Sequence, residues 1–303
     1  MRIFLTGATG FVGSAVLREL ADHGHRVLGL ARSEQSAAKL GKAGIDVLRG
    51  DLNDLETLRR GAHECDAVIH AGYNTAFSEN DDAAKQRQNA EKDGQAIRAI
   101  GETLQGTSRP FIVTSGTALV APGRLAYETD RPVFTPEQFP RVLTEQAADM
   151  VAAQGVNIGV VRLSPTVHGK GDHGFIPLLI DIAREKGVSA YIGNGENCWS
   201  AVHRLDAAKL YRLALANRTP GARLHAAADS RIPFREIASA IGRSLGVPTV
   251  SISPDEASGH FGWFRHFAEL DAPVSSEQTR KQFGWNPSNP FLLDDLREGG
   301  YFD

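Results

Sequence analysis

The chain has 303 residues, 42% of them hydrophobic and 23% charged, and a formal net charge of −3. That balance is ordinary for a folded globular chain, and without a long basic run neither nucleic acid nor an anionic membrane is expected as a partner. Cys65 and Cys198 lie too far apart for a redox or metal motif and are expected as reduced thiols of a cytoplasmic protein. No signal peptide, bilayer-spanning run or metal site is expected.

Residues 2–6 read as a buried strand. Gly7-Ala8-Thr9-Gly10-Phe11-Val12-Gly13 then turns into a helix whose apolar face carries Val12, Val16, Leu17 and Leu20. Gly7 permits the tight turn, Gly10 lets backbone approach a pyrophosphate, and Gly13 lets the helix pack close to the strand. The helix start offers free N–H groups and the positive end of its dipole to phosphate.

With Thr6 before it, the G-x-x-G-x-x-G spacing resembles the TGxxGxxG fingerprint of extended short-chain dehydrogenases/reductases. That superfamily includes nucleotide-sugar epimerases, dehydratases and NADPH-dependent carbonyl reductases. The resemblance covers nearly the whole chain. It implies an α/β, Rossmann-type, doubly wound parallel sheet with a small, mostly helical C-terminal substrate lobe. The dinucleotide-binding domain is expected at 1–165, its sheet completed by about 200–229, with the lobe at 166–199 and 230–303.

A second strand, 26–31, ends in Arg32-Ser33. An NAD enzyme needs Asp or Glu here for the ribose 2′-OH, whereas Arg suits a 2′-phosphate, so NADP is expected over NAD. A helix at 33–44 and a third strand at 45–49 lead to Gly50-Asp51-Leu52. The resemblance puts Asp51 and Leu52 beside the adenine; alternatively Asp51 opens the next helical region, where Asn53 or Asp54 caps. A helix at 54–64 precedes a fourth strand and its loop at 67–72. The resemblance brings Ala71 and Gly72 close to the nicotinamide ribose, with Tyr73 and Asn74 bordering the active site. The expected cofactor set is Gly7, Thr9, Gly10, Phe11, Val12, Arg32, Ser33, Asp51, Leu52, Ala71 and Gly72, joined further on by Pro165.

A long helix at 81–106 and a fifth strand at 110–115 follow, the strand leading into Gly116-Thr117. The resemblance implies a catalytic hydroxyl from Ser115 or Thr117; otherwise these hydroxyls satisfy strand-end backbone. The superfamily's Tyr-x-x-x-Lys is missing. Four residues beyond Tyr73, Tyr127, Tyr191 and Tyr211 stand Phe77, Arg131, Gly195 and Leu215, and Tyr301 is two residues from the end. The chain thus resembles the atypical members that keep the fingerprint and lack the pair. Aligned by the helix before strand six, Arg141 falls on the Tyr position and Glu145 on the Lys position. They are spaced for an exposed i,i+4 ion pair worth about 0.3–0.5 kcal/mol. Alternatively Arg141 binds an anionic or carbonyl group of a substrate, although it cannot serve as the acid.

After a sixth strand at 158–163, the resemblance places Arg162, Pro165 and His168 along the nicotinamide. His168 is a candidate proton donor or a packed ring. Lys170, Asp172 and His173 lie in a glycine-rich, lid-like loop. A helix at 175–186 and a strand at 189–192 precede Trp199 and His203, candidate substrate contacts. Asp206 reads as a helix-start residue, and a helix at 207–217 and a strand at 224–227 complete the sheet. Helices are expected at 233–245 and 256–270, the second with an aromatic stripe that serves either the core or a homodimer surface. Residues 276–283 with Gly284-Trp285-Asn286-Pro287 resemble the family's closing helix and turn.

The expected function is an NADP-dependent oxidoreductase of a small carbonyl or hydroxyl compound. Its proton donor is displaced to Tyr73, Tyr127, His168 or a water on Ser115, and Ser115, Thr117 and Arg141 stabilise charge. The alternatives are a catalytically silent NADP-binding sensor or scaffold and a nucleotide-sugar epimerase/dehydratase.

Overall fold

The computed structural model describes residues 1–74, 83–217 and 220–302, so Phe77 and the expected helix start at 81 lie outside the described residues. Strands and helices alternate through the first half: β1 (Arg2–Thr6), α1 (Phe11–Asp22), β2 (Arg26–Ala31), α2 (Glu34–Lys42), β3 (Asp46–Arg49), α3 (Leu55–His63), β4 (Ala67–His70), α4 (Ala83–Leu104), β5 (Phe111–Gly116), α5 (Val142–Ala153) and β6 (Ile158–Leu163). There follow β7 (Thr166–His168), α6 (Phe175–Lys186), β8 (Ser189–Ile192), β9 (Cys198–His203), α7 (Arg204–Ala216), β10 (Arg223–Ala226), β11 (Asp229–Pro233), α8 (Phe234–Leu245), β12 (Thr249–Ile252), α9 (Ala257–Phe261), α10 (Arg265–Ala268), α11 (Glu277–Phe283) and α12 (Leu292–Glu298).

Seven parallel strands form the main sheet in the order β10-β6-β5-β4-β1-β2-β3. The order reverses at β1 and β4, so a crevice opens at the carboxyl ends of those two strands, where doubly wound sheets bind ligands. Burial on both faces accounts for the apolar runs of these strands. Ile3, Leu5, Val16 and Leu20 join α7 residues such as Leu210 and Tyr211 in one core layer. Phe4, Leu58, Ile97 and Val151 build the other, under α3, α4 and α5.

The lobe holds more strand than its sequence suggests. β11, β9 and β7 form a three-stranded sheet, and β12 pairs with β8. All six residues of β9 are buried, so it shows no alternation from which a strand can be read. The expected helix at 256–270 breaks at Gly262, where φ is +56°, and its aromatic side chains go into the lobe core. Phe264 packs edge-on against Phe175 and Trp199, at ring-centroid distances of 5.0 and 6.1 Å. Among the described residues no helix is long and apolar enough to cross a membrane.

Candidate cofactor cleft and active site

The crevice at β1 and β4 is shaped by backbone standing too close for side chains. Gly7 has φ of +71°, and a Cβ on it would lie 2.7 Å from the backbone of Gly72. A Cβ on Gly13 would lie 2.0 Å from the Gly7 carbonyl oxygen, so α1 meets the strand end at a distance only glycine allows. Gly10 at the start of α1 brings no capping side chain, and the first turn of the helix carries no acidic residue. Its leading N–H groups therefore stay open to an anion. These are the features a pyrophosphate needs, and the residues present fit a dinucleotide.

Arg32 is exposed at the end of β2, and among the described residues no hydrogen bond or ion pair engages it. Ser33 caps α2 by accepting from Ser36 N at 3.1 Å. Glu34, the carboxylate nearest in sequence, is drawn to Arg49 Nη2 at 2.5 Å, while Arg49 Nη1 donates to Ser33 O at 3.0 Å. Asp51 accepts from Asn53 N at 2.6 Å, and Asp54 caps α3 by accepting from Thr57 N at 3.1 Å. The capping role thus belongs to Asp54, and Asp51 closes a local turn. Leu52 lies against Gly72, 3.3 Å from where its Cβ would stand. Thr9, Phe11 and Val12 are half-buried at the glycine turn, and Pro165 is half-buried between β6 and β7.

At the end of β4 the chain runs through Ala71 and Gly72 to Tyr73, all half-buried. The Arg141 guanidinium lies over the Tyr73 ring, its Cζ 3.6 Å from the centroid. Arg141 Nη2 donates to Thr114 O at 2.8 Å, and Nη1 to Asp93 Oδ2 at 3.4 Å. Asp93 is buried on α4. Burial alone would raise its carboxyl, but the Arg141 cation and hydrogen bonds from His70 and Thr144 outweigh this and hold it below the usual range. Sequence reading missed Asp93, His70 and Thr144 as site residues. Asp93 stands in a charge-rich helical stretch and looks like any solvated residue there.

The expected Arg141–Glu145 ion pair does not form. Arg141 precedes α5 and turns to α4 and Tyr73, whereas Glu145 is buried on the side of β6 and β10. Glu145 accepts from Arg162 Nε at 2.7 Å and Nη2 at 2.8 Å, and from Ser115 Oγ at 2.9 Å. Arg162 Nη1 in turn faces His225 Nε2 at 3.2 Å, and His225 Nδ1 reaches Ser275 O at 2.8 Å. Ser115 therefore spends its hydroxyl on a structural carboxylate, and Arg162 does not line the nicotinamide. Thr117 is fully buried, 3.4 Å from Ser200 Oγ. Neither hydroxyl stands ready for a substrate oxygen, contrary to expectation.

The lobe candidates are also drawn away. His168 is fully buried, with Nδ1 2.7 Å from Asp295 Oδ2 on α12. His203 caps α7 by accepting from Leu205 N at 3.3 Å, and its ring meets His168 edge-on at 5.4 Å. Trp199 is fully buried in the lobe core and donates from Nε1 to Phe267 O at 3.1 Å. These three are packing and capping residues, not substrate contacts. Asp206 sits in the first turn of α7, where the sequence places it. The 169–174 loop does approach the cleft: the His173 ring meets Phe11 edge-on at 5.6 Å, and Arg204 stacks on Phe11 at 4.6 Å. Among the described residues no three His, Cys, Asp or Glu are grouped to hold a metal ion.

Residues 3–225 match the family model of the NAD dependent epimerase/dehydratase family. The chain is 48% identical, over the full length of both, to an uncharacterized protein of Schizosaccharomyces pombe. It is 30% identical to the 2-alkyl-3-oxoalkanoate reductase of Stenotrophomonas maltophilia, over 82% of this chain and 77% of that one. In fold it is similar to the dTDP-glucose 4,6-dehydratase of Streptomyces venezuelae solved with NAD, with a TM-score of 0.77 and 20% identity over 100% of this chain and 97% of that one.

Proposed function

The chain belongs to the NAD-dependent epimerase/dehydratase family, and on that premise we propose that it is an NADP-dependent oxidoreductase that reduces a small carbonyl compound with Tyr73 as proton donor. The observation that carries this reading is Tyr73 itself, one residue beyond the Gly72 that abuts the glycine turn, under the Arg141 guanidinium. The other tyrosines lie elsewhere. Tyr127 is 49% exposed in the connection between β5 and α5, Tyr191 is in β8, Tyr211 is buried on α7, and Tyr301 is held by Asp172 and Gly169.

When bound, a nicotinamide cofactor supplies the hydride. The chain's residues do the rest. The leading N–H groups of α1 hold the pyrophosphate, and Arg32 with Ser33 receives the 2′-phosphate. Tyr73 gives its phenolic proton to the substrate oxygen. A guanidinium over the ring favours the phenolate that remains, because a fixed positive charge attracts the anion more than the neutral phenol, and as a permanent cation it does not compete as the acid. Tyrosine and cation thus come from two elements in place of one helical turn. The relative from Stenotrophomonas maltophilia is named a reductase of an oxoalkanoate, which supports reduction of a ketone here.

Titration calorimetry with NADPH and NADH tests the cofactor half. NADPH is expected to bind more tightly, and Arg32→Ala to lose roughly tenfold or more of that affinity while sparing NADH. Following NADPH oxidation over a panel of ketones tests the chemistry: Tyr73→Phe should lower kcat by about 10²–10⁴-fold at unchanged NADPH affinity. Binding of neither cofactor would overturn the reading. Tight NADPH binding with no ketone turned over would make the chain a cofactor-binding sensor.

A further inference from the structure

Asp93 lies on α4, away from the strand ends, yet both halves of the proposed site are bonded to its one carboxylate. On one arm Oδ1 is 3.0 Å from His70 Nε2, His70 Nδ1 is 2.9 Å from Thr6 Oγ1, and Thr6 Oγ1 accepts from Gly72 N at 3.0 Å. On the other, Oδ2 accepts from Thr144 Oγ1 at 2.5 Å and from Arg141 at 3.4 Å, and Arg141 covers Tyr73. His70 and Asp93 are 1% and 3% exposed, so water does not substitute for either partner.

With a neutral imidazole the donors resolve in one direction. A carboxylate only accepts, so it selects the imidazole tautomer with hydrogen on Nε2. His70 Nδ1 is then an acceptor, and the Thr6 hydroxyl must donate to it. That leaves the Thr6 oxygen lone pairs to receive the Gly72 N–H. The position of the turn facing the nicotinamide side is thereby fixed from α4.

We propose that Asp93 is a positioning residue that sets the 71–72 turn through His70 and Thr6 and the Tyr73 ring through Arg141, so that cofactor seat and proton donor are registered on one group. The inference rests on the reductase reading and assigns roles to three residues, Thr6, His70 and Asp93, that bring no chemistry of their own to the substrate.

Asp93→Asn separates this role from simple packing. Arg141 keeps the carboxamide oxygen on its side, which turns the amide N–H₂ toward His70. His70 must then accept at Nε2 and carry its hydrogen on Nδ1, which donates to the Thr6 oxygen beside the Gly72 N–H and leaves the Thr6 hydroxyl hydrogen without its acceptor, so the buried arm must rearrange. Long-range ¹H–¹⁵N spectra of the histidine-labelled protein, with His70 signals identified by their loss in His70→Gln, should show the Nε2–H tautomer in the wild type and Nδ1–H in Asp93→Asn. NADPH affinity should fall roughly three- to tenfold in Asp93→Asn and in Thr6→Val, and the double variant should be no weaker than the worse single one, because residues in one network are non-additive. Thr6→Ser should restore binding, which keeps the test decisive if Asp93→Asn does not fold.

An Nδ1–H tautomer in the wild type, unchanged NADPH affinity in a folded Asp93→Asn, additive losses, or no rescue by Ser would each overturn the proposal and leave the reductase reading standing. If the wild type binds neither NADPH nor NADH, the reductase reading falls and the proposal with it.

Discussion

Arg162 decides what the end of β5 can do. Its guanidinium is fully buried and needs a carboxylate, and Glu145 supplies one with both oxygens, taking the Ser115 hydroxyl as well. A serine at the carboxyl end of a parallel strand is a fair catalytic candidate from sequence; the buried ion pair that claims it joins residues 17 apart and leaves no local pattern. The same cation shapes His225. Burial first, and then Arg162, push its pKa down from 6.5 to about 4. Between those values the unfolded chain binds the proton that the folded one refuses, so stability rises with pH through this window and is lost as pH falls through it. The thermal midpoint should therefore decline from pH 6.5 to about 4, and His225→Gln should flatten that part of the curve.

At the scale of elements, α1 and the glycine turn were the most legible part of the chain, because each glycine answers to a steric demand. The demands are unequal. A Cβ at Gly13 would meet the Gly7 oxygen at 2.0 Å, whereas one at Gly10 would meet it at 3.3 Å. Gly13→Ala should therefore cost more than about 2 kcal/mol of stability and abolish NADPH binding, while Gly10→Ala should be much milder in stability. Denaturant unfolding and calorimetry on the two variants check the ranking. The main-sheet strands and α6 were readable because their apolar runs and periodicity agree with their burial. The small lobe strands were not: β7 has only three residues, too few to show a period, and β9 is buried throughout and does not alternate. The partners of Arg141 were also hidden, since they come from α4 and β5, far off in sequence.

For the molecule as a whole, the joint between the lobe and the main sheet is a buried polar knot around Asp206. The carboxylate accepts from Ser288 N at 3.1 Å, Asn289 N at 2.9 Å and Lys209 Nζ at 3.1 Å, and Trp285 Nε1 donates to Asp206 O at 2.9 Å. Burial would raise this carboxyl, but the Asn289 and Ser288 N–H groups outweigh it and hold it low. The Gly-Trp-x-Pro turn noted in the sequence is thus the clasp that ties the closing segment to α7. Asp206→Asn should cost about 1–3 kcal/mol, read as a lower denaturant midpoint, because the amide N–H₂ cannot accept and leaves at least one of the three donors unmet.

The strand order also governs how the chain is made. β1 is made before the other strands of the sheet and lies inside it, with Ile3 opposite Val27 on one side and Ala67 on the other. β2 covers one edge of it soon after. The other edge waits for β4, some forty residues later, and β5 and β6 extend the sheet on that side only afterwards. While translation proceeds N-terminus first, a run of apolar backbone with unpaired N–H and C=O groups is open to neighbouring chains. The nascent protein therefore has a built-in interval of aggregation risk, which closes when the strand bearing His70 arrives.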